Sequence, residues 1–131
     1  HAYHRRQRQM CIRDSMNPKN AWLWAGTNWE KDINKNLVDV LSGVVMQSDD
    51  PEQLCMQWEK ALGIKRATDG LKIQLVGSTI NFVESIDGRG EGINAFKIKA
   101  LNKDQIIKNA KSMKIFKDEE ISLGGVKIIL E

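Results

Sequence analysis

From residue 16 onward the sequence contains no histidine and no tyrosine, and one cysteine, Cys55. That shortage excludes whole classes of chemistry from this stretch. A Ser/His/Asp triad, a Cys/His pair and a histidine metal site all need an imidazole. The second cysteine, Cys11, lies near the start, so neither a disulfide framework nor a zinc cluster is encoded, and a reducing, cytoplasmic setting is expected. Proline occurs twice, at Pro18 and Pro51. No apolar run approaches the roughly 18 residues of a membrane span. What remains is a chain of 131 residues, 41% hydrophobic and 28% charged, with a mean hydropathy of -0.42. That is the composition of a water-soluble domain large enough to bury a core.

The net charge of +3 is carried entirely by residues 1–15. There Arg5, Arg6, Arg8 and Arg13 face one acid, Asp14, while the rest of the chain is balanced. His1, His4 and Tyr3 also lie here. A basic nucleic-acid arm or a targeting peptide is one reading of such a segment. It has neither the apolar middle of a secretory signal nor a serine-rich amphipathic pattern. The string RRQRQMCIRDS resembles the translation of a sequencing-adapter scar. Under that reading, or as a disordered terminus, it stands outside the fold, and neither nucleic acid nor membrane is expected as a partner.

Residues 16–39 read as a tryptophan-rich linker with Trp22, Trp24 and Trp29, followed by a short helix capped by Asn28 and running to about residue 39. Residues 41–48 form a short apolar strand. Asp50-Pro51, with Gln53 after it, is a helix start, and Gly63 suits a left-handed end. Leu54, Trp58, Ala61 and Leu62 are its expected apolar face. Residues 71–76 and 79–84 alternate as strands joined at Gly77-Ser78. A glycine-rich loop, 85–92, comes next. The order then returns: a strand over 93–101, a helix capped by Asn102 with Ile106, Ile107, Ala110 and Met113 inward, and a hairpin around Gly124-Gly125. This is an internal repeat of roughly 45 residues in pattern, not in identity.

VVMQSDDPEQLCMQWEKALGI, INAFKIKALNKDQIIKNAKSM and GGVKIILE, in that order, resemble the vicinal oxygen chelate family. Its members include glyoxalases, bleomycin-resistance proteins and extradiol dioxygenases. The resemblance covers residues 40–131 and implies an α+β fold: two βαβββ-type modules forming a cupped mixed sheet, with helices on the outer face. AWLWAGTNWE, SDDPE and DGRGEG are similar to the carboxy-terminal half of longer two-domain members. That implies a paired upstream domain, or a second copy, as partner.

Family enzymes hold a divalent ion on the concave face through His, Glu or Gln. The matching positions here fall at or near Gly43, Asn81, Ile93 and Ile129, with Gln47, Glu84, Asn94 and Lys127 as polar neighbours. This set lacks the anionic and imidazole donors a divalent ion wants, so no metal and no cofactor is expected. The resemblance therefore implies a glyoxalase-like domain that binds a small molecule, or serves as the structural half of a larger protein. The alternative is part of a lyase or isomerase whose catalytic residues lie upstream. No residue of this chain is assigned a catalytic role.

For a ligand, Arg89 on the glycine loop is the expected charged contact, or else a connector paired to Asp87 or Glu91. Met46, Phe82, Phe96 and Ile128 are the expected walls of the concave face. Cys55 reads as a half-buried packing residue, Asp49 and Asp50 as capping groups. The lysines from Lys97 to Lys117 read as a solvated face.

Overall fold

The computed structural model describes Lys31 and residues 35–131, and the compact unit treated below is Lys35–Glu131. The tail, the tryptophan linker and the start of the helix expected from Asn28 lie outside the described residues. The expected end of that helix is not helical. The first strand, β1, runs Val38–Ser48. Val38 and Val40 at its start pair with the strand beside it, and that tertiary pairing overrides the helix expected to reach residue 39.

After β1 come α1 (Pro51–Leu62), β2 (Lys72–Leu75) and β3 (Ser78–Glu84). A second round follows with β4 (Gly92–Ala100), α2 (Lys103–Ser112), β5 (Phe116–Lys117), β6 (Glu120–Leu123) and β7 (Val126–Leu130). The sheet order is β2-β3-β1-β4-β7-β6-β5. β1 pairs in parallel with β3, β4 in parallel with β7, and β1 meets β4 antiparallel. The two halves, β2-β3-β1 and β6-β7-β4, thus mirror each other about the β1/β4 pair. The internal repeat is real, and the sheet is mixed and open at both edges. The first module has three strands rather than four, because no strand forms between Gly63 and Leu71.

Both helices begin the same way. Asp50 and Asn102 accept backbone N–H groups from Gln53 and Gln105, three residues on, which satisfies donors the first turn leaves free. Gly63 ends α1 at φ 67°, a conformation that costs a residue with a Cβ. The hairpin turn between β2 and β3 is Val76-Gly77, one residue before the expected pair, since Leu75 already faces Ser78.

One register row defines the core. Ile73, Ile80, Val44, Phe96, Ile128, Ile121 and Phe116 lie side by side across all seven strands. Its β2-β3-β1 end packs with Leu54, Cys55 and Trp58 of α1, around Ile73, Ile80 and Phe82. Trp58 meets Phe82 edge-on, with centroids 6.1 Å apart. The other end packs with Ile106, Ile107 and Ala110 of α2. Both helices therefore cover the same face of the sheet. Three expected inward residues do not reach it: Ala61, Leu62 and Met113 are exposed at the helix ends.

Candidate functional site

With one sheet face closed by helices, the other is the place for chemistry. On β1 it carries Gly43, Val45 and Gln47, since Val44 and Met46 face α1. The register brings Gly43 beside Thr79 of β3 on one side and Lys97 of β4 on the other, with Ile129 of β7 beyond Lys97.

Lys97 is the centre of this row. Its ammonium lies 2.6 Å from Glu131 Oε1, 3.3 Å from Thr79 Oγ1 and 3.4 Å from Asn81 Oδ1. Thr79 and Asn81 belong to β3, two strands away from β4, so the lysine stem crosses β1 to reach them. Neighbouring strands are about 4.8 Å apart, and a four-carbon stem spans that gap only if nothing stands in the way. What it crosses is Gly43. A Cβ there would lie 2.5 Å from the Thr79 carbonyl oxygen and 2.8 Å from Thr79 Oγ1. Glycine is thus required at Gly43 by close approach, not by backbone angle. The Lys97 side chain is 16% exposed, whereas Lys99, two residues on, is 62% exposed. The solvated-stripe reading holds for Lys99 and fails for Lys97.

Glu131 completes the group. Its second carboxylate oxygen accepts a hydrogen bond from Ser42 Oγ. Its backbone is anchored to β4, with Glu131 N–H donating to Ile98 and Ala100 N–H donating to Glu131. The Lys97 ammonium, with help from Ser42, holds the Glu131 carboxyl below the usual glutamate range against the opposing effect of burial.

A second polar hub sits along β1 at Gln47, about 13 Å from Gly43 at ~3.3 Å per residue. Gln47 is 1% exposed. Its Nε2 donates to Asp87 Oδ1 and to the Gly90 carbonyl, both at 2.9 Å, and its Oε1 accepts from Asn94 Nδ2 at 2.7 Å. Asn94 can reach it because β4 carries a bulge there: Val45 faces Ala95, but Met46 faces Ile93. Asp87 in turn accepts from the Arg89 backbone N–H at 3.0 Å and from Arg89 Nε at 2.7 Å. The remaining guanidinium reach goes to the Gly125 carbonyl, 3.4 Å away in the β6–β7 turn. The glycine-rich loop is therefore a stapled connector, with Arg89 paired to Asp87. Arg89 is the first reason the Asp87 carboxyl lies far below its ordinary range, and Gln47 adds to it.

The other expected site residues are placed apart from Arg89. Met46 and Phe82 pack in the α1 core, Ile128 packs in the α2 core, and Phe96 pairs between Val44 and Ile128 on the same helix-covered face. The period-2 alternation that grouped them is right, and the face is the opposite one. Residues 41–48 carry apolar residues on both sides, so alternation alone does not say which side meets a helix. Cys55 is fully buried on the sheet-facing side of α1, rather than half-buried, and burial pushes its thiol pKa up. A shallow pocket bordered by Met56, Glu59, Lys60, Ile64 and Lys65 lies on α1, on the far side of the sheet from Lys97.

The residues on the helix-free face do not fit a divalent ion. Gly43 has no side chain, Ile129 is apolar, Asn81 and Thr79 are neutral, and Glu131 is committed to a resident cation, Lys97. Ile93, expected among these positions, pairs with Met46 instead. Gln47 and Asn94 satisfy each other. Among the described residues no three of His, Cys, Asp and Glu gather as a metal-holding group. Also among them, no helix is long and apolar enough to cross a membrane.

Sequence spacing did not single out Lys97, Glu131, Ser42 or Thr79. The available signal was Gly43 inside an apolar strand, which marks a close approach. Which residue approaches depends on the β1/β4 register, and three irregularities in that ladder hide it.

Two outcomes follow from this geometry. Gly43→Ala forces β1 away from β3 and lowers stability by about 1–3 kcal/mol, read as a lower urea midpoint. An unchanged midpoint would mean the strands are not so close. The second concerns pH. Asp87 and Glu131 both have folded-state pKa values below their unfolded ones. Their stabilisation is complete above the ordinary carboxylate range of about 3.9–4.3 and declines as pH falls below it. Asp87→Asn should flatten part of that decline between about pH 5 and 3, and a slope identical to wild type would contradict the assignment.

No family model matches the chain, and no curated protein matches it. Solved structures do. The crystal structure of methylmalonyl-CoA epimerase from Mycobacterium tuberculosis superposes with a TM-score of 0.57 at 16% identity, covering 75% of this chain and 90% of that one. At that identity the likeness speaks for architecture alone, and with the mirrored modules it establishes that the described domain has the fold of the vicinal oxygen chelate proteins.

Proposed function

We propose that this is a glyoxalase-like domain that works without a metal ion, binding a small molecule on the helix-free face around Lys97. The observation that carries the reading is the lysine itself. At the centre of the face, where family enzymes place ligands for a cation, this chain supplies its own cation. The Lys97 ammonium is held by one carboxylate and two neutral oxygens. A second cation beside it would meet like-charge repulsion and too few anionic donors. The small-molecule half of the reading is supported by the polarity of this face, which offers hydroxyl, amide and ammonium groups between apolar neighbours such as Val45 and Ile129. In this reading the partner is a small ligand, and an upstream domain or a second copy of the chain completes the assembly.

Elemental analysis of protein purified without a histidine tag is the test. After dialysis, zinc, iron, manganese and nickel should each be far below one per chain. A near-stoichiometric metal whose removal lowers the melting temperature would overturn the metal-free reading. Amide-shift mapping with a fragment library should place hits at Gly43, Thr79, Asn81 and Lys97. Hits confined to the α1 pocket would overturn the placement.

A further inference from the structure

We infer that the Lys97 group is a carboxylate-binding site and that the Glu131 side chain occupies it as an internal stand-in for the ligand. The inference rests on the proposed reading and names the ligand class of the same site.

The Glu131 carboxylate is held as a bound ligand would be. One oxygen takes the Lys97 ammonium at 2.6 Å, and the other takes the Ser42 hydroxyl. Both receptors are fixed by elements that do not depend on Glu131. Lys97 sits on β4 in the middle of the sheet, its stem laid over Gly43, and it keeps Thr79 and Asn81 as partners. The occupant is less confined than its receptor. The Glu131 side chain is 41% exposed, against 16% for Lys97. Its main chain is secured to Ile98 and Ala100, so the carboxylate can leave by side-chain rotation alone, without unzipping β7.

Departure of that carboxylate would leave a poorly solvated ammonium and a hydroxyl facing the same point, the arrangement a small carboxylate satisfies with two charge-assisted hydrogen bonds. A neutral amide of the same shape would gain only ordinary hydrogen bonds. The site therefore selects by charge, and Glu131 sets a threshold that an incoming carboxylate must exceed. Apparent affinity in the wild type is lowered by the fraction of molecules in which Glu131 holds the site.

The experiment uses the full chain with acetate as the probe and acetamide as its neutral control, followed by amide shifts at Thr79, Asn81 and Lys97. Glu131→Gln should tighten acetate binding by about fivefold or more, with acetamide remaining the weaker ligand in both forms. Lys97→Met should abolish acetate binding in both the wild-type and Glu131→Gln backgrounds. Circular dichroism shows whether that variant is folded, and Lys97→Arg, which keeps the charge, should retain acetate binding if it is not. Acetate that binds Glu131→Gln no better than wild type, or that still binds folded Lys97→Met, overturns the inference. Acetamide binding on this face as well as acetate does would overturn the charge selection while leaving the proposed small-molecule role intact. The loss of both probes from the face, with hits elsewhere, would remove that role too.

Discussion

The arrangement of the helix-free face depends on one crossing, in which the Lys97 side chain passes over Gly43. It ties β4 of the second module to β3 of the first across the strand between them. Each end imposes a condition. Gly43 must lack a side chain, because the Thr79 carbonyl already occupies the space a Cβ would take. The ammonium must find oxygen partners, because a half-buried charge without them costs more than the packing of its stem returns. Thr79, Asn81 and Glu131 meet that condition, and Ser42 completes the shell of Glu131. The pair adds little net stability, since a desolvated ion pair often only breaks even. Its consequence is positional: a cation fixed at the junction of two modules.

The junction is held at two points of different character. Around Lys97 the contact is ionic, and part of it faces solvent. Around Gln47 it is neutral and closed, with a buried amide accepting from Asn94 and donating to Asp87 and Gly90. That second hub converts the glycine-rich segment from a mobile loop into a strap. Asp87 binds Arg89, and Arg89 reaches the β6–β7 turn at Gly125. The only arginine of the strap is thereby engaged in joining parts of the domain, and Lys97 is the cation beside Gly43 at the centre of the helix-free face.

Much of the fold was legible because its signals are local. Asp50-Pro51 and Asn102 with Gln105 announce both helices by chemistry that acts over three residues. The alternation of Ile73, Ile80 and Phe82 identifies buried positions, and their recurrence around Ile98 and Ile128 exposes the repeat. The site was less legible because it is made by pairing. A period of two says that Lys97 and Gly43 each point to one face or the other. It does not say that they are neighbours, and the bulges in the β1/β4 ladder break any simple count. For the same reason alternation groups Met46, Phe82, Phe96 and Ile128 on one face without saying that it is the helix-covered one. β1 carries apolar residues on both faces, Val45 on one and Val44 and Met46 on the other, and only the position of α1 decides between them.

The most direct test of the crossing is a proton–nitrogen spectrum of the lysine ammonium groups near pH 6 and low temperature. Held by three oxygens and shielded from water, the Lys97 ammonium should give a resolved, slowly exchanging signal with a cross-peak to the Thr79 side chain. Exposed Lys99 should be broadened by exchange under the same conditions. A Lys97 signal that exchanges as fast as that of Lys99, with no contact to Thr79, would contradict the central claim.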